Sequence, residues 1–170
     1  AIYAVHRGRC LLVAGAVGVE EELQQVARTP GLSARATSQL RMGLGLCALR
    51  RGEPGQASLR LAEAAAHDPG GSVLAHAFRA VAEVQLGEVD PARACVAAAR
   101  TQRIPEIASD FAIELAEAWL GWARGDTGVV RDALARFDRA PDPRVEPPWR
   151  RLPEIEWLAP PVPDGDTAAR

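Results

Sequence analysis

Apolar residues run along this chain in stretches of helical length, and prolines and glycines interrupt them at short intervals. The interruptions are Pro30-Gly31, Pro54-Gly55, Pro69-Gly70-Gly71, Pro91, Pro105 and Pro141. Between them the pattern predicts helices near 2–14, 19–28, 34–51, 55–67, 72–86, 90–102, 106–124 and 128–139. The expected fold class is therefore all-α. Local chemistry agrees with these limits. Glu20-Glu21-Glu22 opens a helix where negative charge complements the macrodipole, and His67 falls at a helix end where positive charge does. Asp90 is the expected N-cap of its helix. Pro91 then sits in a first turn, which tolerates it because that N–H lacks an intrahelical partner.

The helices repeat as pairs. A glycine that ends a long apolar helix and precedes an acidic residue recurs at Gly52-Glu53, Gly87-Glu88 and Gly125-Asp126, with a weaker early copy at Gly15. The intervals are 37, 35 and 38 residues, the range of helix-pair repeats. Other positions keep step. Seven residues before each glycine stands Gly8, Gly45, Ala80 or Ala118; five after Gly52 and Gly87 stand Ala57 and Ala92; twelve after stand Ala64 and Ala99. Cys10 and Cys47 share one repeat position. Small side chains are expected where the two helices of a pair cross closely, Gly45 or Ala80 against Ala57 or Ala92. The recurring glycine is expected to take positive φ at the first helix's C-terminus.

These residues resemble the tetratricopeptide repeat (TPR). Ser38 to Gly71 matches that pattern with Leu44, Gly45, Gly52, Ala57, Leu61, Ala64 and Pro69, and departs from it at Arg41 and Ala48, where the family carries large aromatics. The copy from Val73 to Pro105 is a looser match, and the copy from Phe111 to Ala140 is degenerate, with Val130 and Phe137 at the two small positions. The resemblance implies a TPR-like solenoid of about four antiparallel helix pairs, with repeats near 1–33, 38–71, 73–105 and 111–140. Residues 1–140 then form the repeat domain. Residues 141–170 form a Pro-rich segment with one short helix near Trp149–Leu158 and a loose tail.

Composition narrows the function. The net charge is −2 with both signs interspersed, which argues against direct nucleic-acid binding by this segment. All 20 basic residues are Arg; Lys and Asn are absent, as fits a gene of high GC content. Without Lys, neither Schiff-base chemistry nor a Walker-type phosphate lysine is available. Arg50-Arg51, Arg100/Arg103, Arg131/Arg136/Arg139 and Arg150-Arg151 are scattered enough to read as a solvated surface. No apolar run reaches the ~20 residues that span a bilayer. Cys10, Cys47 and Cys95, odd in number and far apart, suit free buried thiols in a reducing cytoplasm. The chain opens on Ala1 inside an apolar helical stretch, so it is expected to continue a longer protein.

No catalytic constellation emerges. His6, His67 and His76 lie far apart, with no HExxH, GxGxxG, Walker A or GxSxG pattern. Asp110, Glu114 and Glu117 share a helix face, as a catalytic carboxylate pair would, but a solvated face has the same spacing and is far commoner. The expectation is a non-enzymatic protein that uses no cofactor and no metal.

In TPR arrays the first helix of each pair lines a concave groove. By that resemblance the partner-binding positions are Met42, Leu46, Leu49 and Arg50 in one pair, Val81 and Gln85 in the next, and Trp119 and Trp122 in the third. The set is unusually apolar for an exposed surface, and contiguous exposed apolar patches mark interaction sites. Trp119 and Trp122 lie on one helix face, and Trp is a typical hot-spot residue. Close packing on neighbouring helices is the competing explanation of the same pattern.

Degenerate arrays rich in Ala, Arg and Leu resemble the helical region of large ATP-dependent LuxR-type transcriptional regulators of high-GC bacteria. Pro147-Pro148-Trp149-Arg150 is similar to a segment found late in such arrays. The resemblance implies a cytoplasmic sensor scaffold, whose partner is a protein or peptide, including other domains of its own parent chain. The alternative is a stand-alone TPR-like adaptor that docks a peptide or helix in its groove.

Overall fold

The computed structural model describes residues 18–68, 72–102, 107–138 and 158–161. Seven helices and no strand occur among them: α1 Val19–Ala27, α2 Ala34–Arg50, α3 Pro54–His67, α4 Val73–Gln85, α5 Val89–Thr101, α6 Ile107–Ala123 and α7 Thr127–Asp138. The all-α expectation holds, and each of these helices begins and ends within one residue of its predicted limits. The helix expected at 2–14, the early repeat positions Gly8, Cys10 and Gly15, and most of the short helix expected at 149–158 lie outside the described residues.

Three corners carry the repeat. Gly52, Gly87 and Gly125 have φ of 73°, 82° and 71°, the left-handed region that glycine enters without a Cβ penalty. Each corner closes with the same pair of hydrogen bonds. The glycine N–H donates to Leu49, Val84 or Trp122 O at 2.9–3.0 Å; the next N–H, of Glu53, Glu88 or Asp126, donates to Ala48, Glu83 or Gly121 O at 2.8–2.9 Å. This is the Schellman arrangement, which satisfies carbonyls that a helix end leaves open. The same acidic residue then starts the following helix, since Glu53, Glu88 and Asp126 O accept from Ala57, Ala92 and Val130 N. One residue thus closes one helix and opens the next, and the chain turns back on itself in the minimum length.

That economy corrects one expectation. Asp90 is not the N-cap of α5; Glu88 is, and Asp90 and Pro91 both lie in the first helical turn. The corner hydrogen bonds hold Glu88 at the cap position, so the helix begins two residues earlier than Asp90-Pro91 suggests. In the third corner the cap is completed by a side chain, Asp126 Oδ1 accepting from Val129 N at 3.1 Å.

Packing follows the pairs. α2 packs on α3, α4 on α5 and α6 on α7; α3 also packs on α4, and α4 on α6. Gly45, Ala80 and Ala118 are buried on the first helices, and Ala57, Ala92 and Val130 on the second. At Gly45 the approach is closest, with Leu61 Cγ 2.7 Å from where a Cβ would stand and Ala57 O at 3.5 Å. One apolar cluster extends from Val19 and Leu23 of α1 to Trp119 and Leu120 of α6. A polar joint crosses it between α3 and α4. Glu83, only 6% exposed, accepts from Ser58 Oγ at 2.7 Å and from Arg79 Nε at 3.1 Å, so the buried carboxylate is matched by two donors. No helix among the described residues is long and apolar enough to cross a membrane.

Candidate interaction site

The eight positions expected to line a groove divide into two groups. Met42, Leu46, Leu49, Val81 and Trp119 belong to a single cluster of buried apolar residues. Arg50, Gln85 and Trp122 are exposed. The first helices of the pairs do bring the apolar positions together, as the repeat register requires. The expected open apolar surface, however, is mostly interior. Contact between α4 and α6 covers part of it, and a distant piece of chain covers another.

That piece is Leu158–Pro161. Leu158 is 2% exposed and belongs to the same cluster as Trp119. Pro160 is buried as well, Ala159 is half-buried and Pro161 is exposed. The Trp119 indole Nε1–H donates to Leu158 O at 2.6 Å in a buried setting. A buried indole N–H needs an acceptor, and the carbonyl of Leu158, the last helical residue of this segment, supplies it. Trp119 is thereby both an apolar wall and the polar anchor for this segment.

Trp122 completes the site from one turn along α6. The two rings stand edge to face, 5.4 Å between centroids at 70°, a favoured arrangement that fixes their relative orientation. Trp122 is 39% exposed, so it forms the rim beside the buried Trp119. On the far side of α6, Gly121 leaves room for Val129 of α7, whose Cγ1 would lie 2.8 Å from a Cβ there. The third pair, degenerate by its sequence, closes through this exchange of a small residue on one helix for a β-branched one on the next.

The acidic face of α6 is at least partly structural: Glu117 is ion-paired with Arg100 of α5. Among the described residues no group of three or more His, Cys, Asp and Glu side chains is placed to hold a metal ion. Cys47 and Cys95 are free and buried. Burial pushes the Cys47 thiol up to about 11 and raises Cys95 as well, opposite to the low values of reactive thiols. His76 is held below its usual value by burial, with the nearby Arg79 charge adding to the effect.

The sequence singles out Trp119 and Trp122; Leu158 and Pro160, which the structure places with Trp119, are not among the residues it singles out. The available signal was the run Trp157-Leu158-Ala159-Pro160-Pro161, apolar residues inside a segment otherwise loose in composition. No protein-family model matches the chain, no curated protein is similar to it, and no solved structure matches it. The functional reading therefore rests on the repeat and the site themselves.

Proposed function

We propose that this chain is a TPR-like interaction scaffold whose Trp119 site receives a short apolar segment. The observation that carries the reading is the buried hydrogen bond from Trp119 Nε1 to Leu158 O, with Leu158 set into the apolar cluster. It is a mode of recognition by one main-chain hydrogen bond and one apolar anchor, with Trp122 as rim. The solenoid reading is supported by the three matching corners and by the succession of contacts, each first helix against its own partner and the next pair. The chemistry of this reading is recognition, not turnover.

The setting we favour is the sensor array of a cytoplasmic LuxR-type transcriptional regulator, a reading that rests on the sequence resemblance. In that setting the partner is another domain of the same parent protein, and binding at the Trp119 face relays to it. The experiment is to sequence the gene outward from both ends. A phosphate-binding loop upstream with a helix-turn-helix downstream supports the regulator. A start codon just before Ala1 with a stop just after Arg170 overturns it in favour of a stand-alone adaptor that uses the same site.

A further inference from the structure

A second cleft lies at the other end of the molecule, between α1, α2 and α3, and encloses about 290 Å³. That volume is at the lower end of small-molecule pockets, which run ~300–1,000 Å³. Its wall is dominated by hydrogen-bond donors: Arg28 from the end of α1, Arg41 from α2, Arg51 from the first corner and Arg60 from α3, with the amides of Gln24 and Gln56 between them. These residues lie far apart in sequence, and only the folding of α1 and α3 onto α2 brings them to one place.

The charges there do not cancel. Arg51 is paired with both Glu20 and Glu53, the latter at 2.7 Å. Arg41 and Arg60 share a single oxygen, Glu63 Oε2, each at 3.3 Å. Arg28 has no ion-pair partner among the described residues. Three carboxylates thus pair with three guanidiniums and the fourth, Arg28, is left over; only one of the three carboxylates, Glu20, is itself part of the wall. Arg41, Arg51 and Arg60 are each about one-third to two-fifths exposed at the side chain, so their remaining N–H groups are reachable from the cleft.

From this geometry we infer that the cleft binds a small phosphate-bearing dianion, either free phosphate or a small phosphate monoester. Guanidiniums converging from separate elements suit a tetrahedral oxyanion, whose several acceptor oxygens can each meet a different donor. The inference stands on residues of α1–α3 and is independent of the Trp119 site.

The test is calorimetric titration of the full chain with inorganic phosphate and, separately, with glycerol phosphate, at fixed ionic strength, with acetate as a singly charged control. Saturable binding of either phosphate, tighter than acetate and weakened about tenfold or more by Arg60→Gln, is the expected result, because a charge-assisted hydrogen bond is lost. Arg28→Ala, which disturbs no ion pair among the described residues, should weaken binding in the same direction, while Arg93→Ala on α5 should leave it unchanged. Tighter binding of one phosphate over the other identifies the source of the anion. Absence of saturable binding to both, or binding that Arg28→Ala and Arg60→Gln leave intact, overturns the inference.

Discussion

A Cβ placed on Gly45 would stand 2.7 Å from Cγ of Leu61, closer than side chains tolerate. The helix pair α2–α3 is built around that contact: the glycine lets Leu61, fully buried, sit directly on the backbone of the facing helix. Gly45→Ala should therefore destabilise the protein by about 1–3 kcal/mol through overpacking, less up to ~1 kcal/mol regained from helix propensity. Urea unfolding measures it. Adding Leu61→Ala to Gly45→Ala should cost less than the two single changes together, because the clash is then absent.

The repeated corners give a contrast between two glycines. Gly87 sits at φ 82°, and Gly87→Ala should cost about 1–2 kcal/mol for forcing a left-handed Cβ. Gly55 is inside α3, and a Cβ there meets nothing within 4 Å. Gly55→Ala should stabilise by about 0.5–1 kcal/mol. Equal effects at the two positions in thermal unfolding would contradict the corner assignment.

His76 supplies a pH dependence of definite sign. Its folded-state value is depressed, by burial first and the Arg79 charge second. The unfolded chain therefore binds the proton more readily than the folded one. The stability that neutral His76 contributes is fully present above its ordinary value of about 6.5 and declines as the pH falls through the folded-state value. Unfolding free energies at pH 7.5 and pH 5.5 should differ more for the natural protein than for His76→Gln.

The buried thiols should be inert. With Cys47 at about 11 and Cys95 also raised, both are protonated at neutral pH and enclosed. In a Cys10→Ser background, a chromogenic disulfide reagent at pH 8 should release no thiol signal from the native protein and two equivalents after denaturation. Rapid native reaction would place one of the two at the surface.

Much of this fold was legible in the sequence because helix ends are decided locally. Gly52, Gly87 and Gly125 announce positive φ, and Pro91 announces a first turn, so helix limits follow from neighbouring residues. Asp90 misled for an equally local reason: a good capping residue stood two positions after Glu88, which the corner hydrogen bonds had already engaged. The site was legible only in part. The TPR resemblance placed Met42, Leu46, Val81 and Trp119 on one side of their helices, but whether that side meets solvent depends on what covers it. Leu158 covers Trp119 from 39 residues away, and no local pattern encodes that distance. Of the four arginines of the second cleft, scattered from 28 to 60, only Arg51 belongs to a group that reads as solvated surface in the sequence, and no local pattern links it to the other three.

The central claim, that the Trp119 site accepts a short apolar segment, is tested most directly by supplying the segment in trans. The full chain carrying Leu158→Asp, which expels its own segment, is titrated with a fluorescently labelled peptide of residues 156–163, and polarisation is followed. The account predicts saturable binding that Trp122→Ala weakens and that an otherwise identical peptide with Asp in place of Leu158 does not show. Absence of saturable binding, with circular dichroism showing the helices of the Leu158→Asp chain intact, would contradict it.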